Sequence, residues 1–229
     1  MGCGGRALGD HSEDGGVVGT GWGETGGDDG WVSLEVSPRL VHDTKKTVAE
    51  AKTLHQKADA PNLFIKVPGT REGLPAIEEL TFEGIPVNVT LLFSEQQYLD
   101  AAGAYLDGLE RRKAAGLHLN VPSVASLFVS RWDHATMDQL PAELKDVLGI
   151  AVAKQTYRSY RKMLASKRWT ALAAEGANLQ RLLFASTGTK DPAKPDTYYI
   201  EALVAPETIN TIPPATLEAF VEHGKVGGF

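Results

Sequence analysis

Six short apolar runs recur along the chain: WVSLEV (31–36), NLFIKV (62–67), IPVNVTLLF (85–93), VASLFVS (124–130), RLLFAS (181–186) and YYIEALV (198–204). No other feature of the sequence restricts the fold so tightly. The runs are short and rich in β-branched and aromatic residues, so they read as strands. Most of the intervening stretches repeat apolar residues every three or four positions. They predict helices from Asp43 or Thr44 to Ala58, Glu72 to Glu83, Ser94 to Ala115, about Gly149 to Leu164, and Trp169 to Glu175. A last helix, Pro214 to His223, has proline at its start and Gly224 just past its end. Strand, helix, strand in repetition demands parallel pairing, because a parallel neighbour is reached only through a crossover. Such nearly continuous apolar strands belong to a sheet covered on both faces, either doubly wound or a (β/α) barrel.

Residues 1–30 are a different material. They hold 12 of the 24 glycines and little periodic apolar sequence, so they read as a disordered leader ahead of a single domain over 31–229. Their glycines are not a phosphate loop, since no strand precedes them and no helix follows. The leader also carries most of the net charge of -6. A nearly neutral remainder argues against a protein built to grip nucleic acid. The single Cys3 excludes an intramolecular disulfide and multi-cysteine metal sites, and it fits a reducing compartment, with cytoplasm the default. No stretch approaches eighteen consecutive apolar residues, so no membrane span is expected. The histidines at 11, 42, 55, 118, 134 and 223 show no metal-ligand spacing, and no metal or organic cofactor is expected.

Strand side chains alternate between faces, which sorts the polar positions. Ser33 and Glu35 oppose Val32, Leu34 and Val36, while Asn88 and Thr90 oppose Val87, Val89 and Leu91. Lys66 lies one residue before its strand gives way to Val67-Pro68-Gly69. Ser126 and Phe128 share a face, Arg131 follows that strand, and Ser186 ends the next. Polar residues therefore gather at the carboxyl ends of at least four strands, where parallel α/β proteins mount their chemistry. A lysine among apolar neighbours loses hydration of its charged form, which favours the free amine that attacks a carbonyl to form a Schiff base. Glu35 and Thr90 are suited to hold the water that shuttles protons in that reaction. The plain alternative makes Lys66 a snorkelling surface residue with Glu35 as its ion-pair partner, and gives Asn88 and Thr90 backbone groups to satisfy. Trp132, Trp169 and Phe184 read as core or interface residues rather than stacking platforms.

EVSPRLVHDT (35–44), FIKVPGTREGLPAIEEL (64–80), the GI-x-VNVTLLFS pattern at 84–94, ASLFVSR (125–131) and FASTGTKDP (184–192) resemble, in this order, the motifs of the transaldolases. The likeness is to the longer branch, which stands alone or is fused to glucose-6-phosphate isomerase, and it runs from about Gly26 to Val226. It implies a (β/α)8 TIM barrel that moves a dihydroxyacetone unit from sedoheptulose 7-phosphate to glyceraldehyde 3-phosphate in the pentose phosphate pathway. Fructose 6-phosphate and erythrose 4-phosphate are the further substrates it implies. By the same resemblance Lys66 is the Schiff-base lysine, and Glu35 and Thr90 place the relay water. Asn88 and Ser126 bind substrate hydroxyls, Phe128 shapes the pocket, and Arg131, Ser186 and Lys190 hold the phosphate.

Family members begin with two further strands, bearing an aspartate and a TNPS-like segment, which have no counterpart here. The chain therefore reads as an incomplete barrel of about six β/α units, strands three to eight. Open edges of that kind invite self-association. Two other readings stay open: an inactive sugar-phosphate-binding or assembly remnant of a transaldolase, and another class I aldolase on the same barrel.

Overall fold

The computed structural model describes residues 21–227 apart from 28, 190 and 192. Six strands form one sheet: β1 (Val32–Glu35), β2 (Leu63–Pro68), β3 (Val87–Leu92), β4 (Ser123–Phe128), β5 (Gln180–Ala185) and β6 (Thr208–Asn210). Each pairs in parallel with the next in chain order, as the alternating pattern requires. The crossovers are helical. α1 (Thr44–Ala58), α2 (Leu74–Glu83) and α3 (Glu95–Ala114) follow the first three strands; α4 (Ser130–Thr136), α5 (Leu148–Leu164) and α6 (Lys167–Ala173) follow β4; α7 (Tyr198–Ala202) follows β5 and α8 (Pro214–His223) follows β6. Among the described residues β1 and β6 do not pair with each other, so the sheet stays open: six β/α units of a barrel that is not closed.

Side-chain caps fix where the crossovers begin. The Asp43 carboxylate accepts from Lys46 N at the start of α1, Ser94 Oγ from Gln97 N at α3, and Ser166 Oγ from Trp169 N at α6. Gly84 ends α2 with φ of 82°. Beside it the buried Arg112 donates to the carbonyls of Phe82 and His118, both at 2.6 Å, so the guanidinium finishes the helix end that the glycine opens.

The two faces of the sheet differ. Ile65, Val67, Val87, Val89, Ala125, Leu127, Leu182 and Phe184 pack beneath the helices with Ile77, Leu80, Tyr98, Leu109 and Tyr160 in one large apolar cluster. On the opposite face Phe64, Val124, Leu183 and Ala185 form a small cluster fringed by Trp31, Phe128 and Ile209. Trp31 stacks on Phe64 with ring centroids 4.2 Å apart, and its indole N–H donates to Gly27 O at 2.7 Å.

Three sequence expectations need correction. YYIEALV is not a strand, because Tyr198–Ala202 is helical and the sixth strand is Thr208–Asn210. Its buried residues, Tyr199, Ile200 and Leu203, follow a helical spacing that a run of apolar letters conceals. β4 stops at Phe128, and Ser130 already begins α4. Leu91 does not continue the alternation of β3. It has φ of 60° and sits in a register shift between Val89 and Leu92, so Leu92 takes the helix-side position instead. Residues 1–20 and 28 of the leader lie outside the described residues, while 21–24 form one helical turn.

Two glycines of α3 make a paired test. An added Cβ at Gly103 meets nothing within 4 Å, whereas at Gly108 it would lie 2.7 Å from both Glu78 O and Thr81 Cβ on α2. Gly103→Ala should stabilise by about 0.5–1 kcal/mol through helix propensity. Gly108→Ala gains the same propensity, but overpacking of about 1–3 kcal/mol should outweigh it. Urea denaturation midpoints moving in opposite directions check this.

Candidate active site

Parallel register sets the first level of the site. Glu35 is the register partner of Lys66, and Lys66 of Asn88, so three adjacent strands present these side chains on the face away from the helices. One pleat further on, Thr90 is in register with Pro68, and Ser126 occupies β4 opposite Leu183 of β5. The turn after Lys66 leaves no space for larger residues. A Cβ on Gly69 would fall 2.3 Å from Leu92 Cδ2, and one on Gly73 would fall 1.9 Å from Pro68 O. Gly69 N donates to Thr90 O at 2.8 Å, tying the turn to the end of β3. The glycines of PGTREG thus have steric reasons to be there, but these do not explain the lysine.

Asn88 is 6% exposed and Ser126 is 3% exposed, and both are hydrogen-bonded. Ser126 Oγ donates to Asn88 Oδ1 at 2.7 Å, and Asn88 Nδ2 donates to Ser33 Oγ at 3.1 Å. This chain fixes the amide's orientation from both ends. Thr90 is 2% exposed, and its hydroxyl makes no hydrogen bond among the described residues. Lys66 is half-buried and Glu35 is exposed. Among the described residues neither forms an ion pair, although they are register partners. Among the described residues the polar groups of Glu35, Lys66 and Thr90 are therefore uncommitted, while Asn88 and Ser126 are held.

A second group lies where β4 and β5 end. Val129 N donates to Ala185 O at 3.0 Å and Ser130 N to Ser186 O at 3.1 Å; the Ser130 and Ser186 hydroxyls are 3.0 Å apart. The exposed Arg131 follows, its guanidinium carbon 4.5 Å from the centre of the Phe128 ring. Phe93 braces the same ring at 5.4 Å, and Trp132 Nε1 donates to Phe93 O at 2.6 Å. Phe128, Arg131 and Ser186 therefore belong to one end of the sheet. Lys190 lies outside the described residues.

Leu91 and Ser186 both take the left-handed conformation, at the carboxyl ends of β3 and β5. Such residues cost roughly 1–3 kcal/mol each and concentrate at functional sites. A cavity of about 720 Å³ opens on the helix-free face, lined in part by Ser33, Phe64, Asn88, Val124 and Leu183. Among the described residues no cluster of three or more His, Cys, Asp or Glu is arranged to hold a metal, and no helix is long and apolar enough to cross a membrane. Ser33 and Phe93 join this constellation without having been singled out as site residues in the sequence. The alternation that selects Glu35 points equally to Ser33, two residues earlier on the same strand.

A sequence model of the transaldolase/fructose-6-phosphate aldolase family matches residues 11–227. "Transaldolase 1" of Streptomyces avermitilis is 52% identical over 213 residues, covering 89% of this chain and 56% of that protein. A transaldolase of Saccharopolyspora erythraea is 52% identical over 208 residues, 88% of this chain and 57% of its own length. One of Acidothermus cellulolyticus is 50% identical over 211 residues, with 89% and 57% covered. The chain thus spans a little over half the length of the curated relatives it matches.

Ser126→Ala should destabilise by about 1–3 kcal/mol, because it leaves the buried Asn88 Oδ1 without its donor. Ser33→Ala, at the exposed end of the same chain of hydrogen bonds, should cost less than Ser126→Ala. Chemical denaturation of the two variants gives the comparison.

Proposed function

Because the chain belongs to the transaldolase/fructose-6-phosphate aldolase family, we propose that it performs transaldolase chemistry with Lys66 as the Schiff-base nucleophile. The observation that carries this reading is the common level of Glu35, Lys66 and Asn88 on three adjacent strands, where the Lys66 amine forms no ion pair among the described residues. The free amine attacks the ketone carbon of a ketose phosphate, and its proton passes to the carbonyl oxygen. Loss of that oxygen as water leaves the imine. Protonated, the imine draws in the electron pair of the bond between its α and β carbons; that bond breaks as the proton of the β-carbon hydroxyl is removed, the enamine forms, and an aldose departs. The retained three-carbon enamine attacks the aldehyde of the acceptor, and water then releases the new ketose.

In this reading Glu35 and Thr90 hold the water through which the protons move. Asn88 and Ser126, already locked to each other, are oriented to meet the hydroxyls of the sugar. Phe128 forms the apolar wall, and Arg131 and Ser186, with Lys190, bind the phosphate. Arginine suits that role through its planar fork of donors. Sedoheptulose 7-phosphate and glyceraldehyde 3-phosphate are the proposed donor and acceptor, with fructose 6-phosphate and erythrose 4-phosphate as the equivalent pair.

The exposure of Glu35 on an edge strand favours a second reading, in which sugar phosphate binds and forms the imine without efficient turnover. Borohydride reduction with fructose 6-phosphate, followed by peptide mass mapping, should add a three-carbon unit at Lys66. Lys66→Arg should abolish the adduct, and labelling at another lysine would overturn the assignment. Coupled turnover of fructose 6-phosphate with erythrose 4-phosphate separates transfer from trapping alone. Cleavage of fructose 6-phosphate without an acceptor identifies an aldolase.

A further inference from the structure

Asp133 is a carboxyl group with 3% of its surface exposed, and it forms no ion pair among the described residues, although Lys145 and Lys194 line the same cavity. Both oxygens accept from neutral donors: Oδ2 from the Tyr199 hydroxyl at 2.8 Å and Oδ1 from Gly149 N at 3.0 Å. A buried carboxyl group is costly unless its hydrogen bonds are satisfied, so this one is held by an arrangement that three helices must supply together. Asp133 lies on α4, Gly149 in the first turn of α5 and Tyr199 on α7. The fit is close. A Cβ on Gly149 would fall 2.5 Å from Val129 O and 2.7 Å from Asp133 Oδ2, so only glycine lets α5 approach. Burial, and then the bond to Asp133, hold the Tyr199 phenol protonated, well above the usual tyrosine range.

The position of this junction suggests a use. α4 carries Arg131, and α7 follows the segment that begins at Ser186. The two segments also meet at the Ser130 and Ser186 hydroxyls. A cavity of about 410 Å³ lies between them, bordered by Ser130, Asp133, Thr189 and Tyr199 among others. The phosphate groups proposed above thus come from two segments joined at one end by Ser130–Ser186 and at the other by Asp133–Tyr199.

We propose that Asp133 and Tyr199 are positioning residues for phosphate recognition, locking α4 to α7 so that Arg131 and Ser186 meet one phosphate together. The proposal rests on the phosphate assignment in the preceding subsection. The test is Tyr199→Phe, which deletes one hydroxyl, beside two comparators. Tyr160→Phe deletes a buried hydroxyl of the same kind, which donates to Glu207 O at 2.7 Å and holds the turn before β6. Arg131→Ala removes the guanidinium itself.

Calorimetric titration with fructose 6-phosphate should show Tyr199→Phe binding about three- to tenfold more weakly, the range for one hydrogen bond. Unphosphorylated fructose should bind as before, and Tyr160→Phe should leave both affinities unchanged. Independently of any sugar, amide hydrogen exchange over residues 186–198 should quicken in Tyr199→Phe and not in Tyr160→Phe. If Arg131→Ala weakens only the phosphorylated sugar and Tyr199→Phe does not, the positioning role is overturned and the phosphate assignment stands. If Arg131→Ala weakens both sugars alike, the phosphate assignment fails and the positioning role falls with it. Equal loss in Tyr199→Phe and Tyr160→Phe would reduce the junction to general stability and overturn the proposal.

Discussion

Parallel pairing in chain order is the constraint from which the other features follow. A strand can lie parallel to its predecessor only if the chain returns to the same end of the sheet first, and here helices make most of that return. All six carboxyl ends therefore point one way. Side chains far apart in sequence, such as Glu35, Lys66 and Asn88, are brought level by register alone.

The helices cover one face of that sheet, and the difference between the faces divides the work. The covered face is mostly apolar, and two of its polar residues are linked: Gln180 Nε2 donates to Ser123 Oγ at 2.9 Å, and Ser123 Oγ to Val87 O at 2.8 Å. The other face has only a small apolar cluster, beside the polar Glu35, Lys66, Asn88 and Thr90 of the first three strands. Stability comes mainly from the first face through apolar burial. Among the described residues, the second face leaves the side chains of Lys66 and Thr90 without hydrogen-bond or ion-pair partners.

Most of this was legible in the sequence because period and punctuation act locally. Five of the six strands, the parallel order and the long helices follow from apolar spacing, Pro and Gly. That Lys66, Glu35, Asn88 and Thr90 share one face of the sheet was legible because alternation on a strand is a rigid rule. The misreadings arose where tertiary contacts overrode local pattern. YYIEALV has the letters of a strand, but Tyr199 must reach Asp133 and Ile200 must enter the core, which only a helix permits. Leu91 broke the alternation because a bulge places a bulky residue in the left-handed region, and no local preference foretells that. The Asp133 junction joins residues from three helices, and spacing along one chain carries no sign of it.

The order of the strands also bears on how the molecule assembles. Each strand finds its partner in the next one to be synthesised, and no pairing spans more chain than that from Ser123 to Gln180. Here the closure entropy is met in short instalments, and every β/α unit adds its apolar surface to a neighbour already made. The same sequence that brings Glu35 level with Lys66 and Lys66 with Asn88 can therefore be laid down from the amino end while the ribosome is still adding α5.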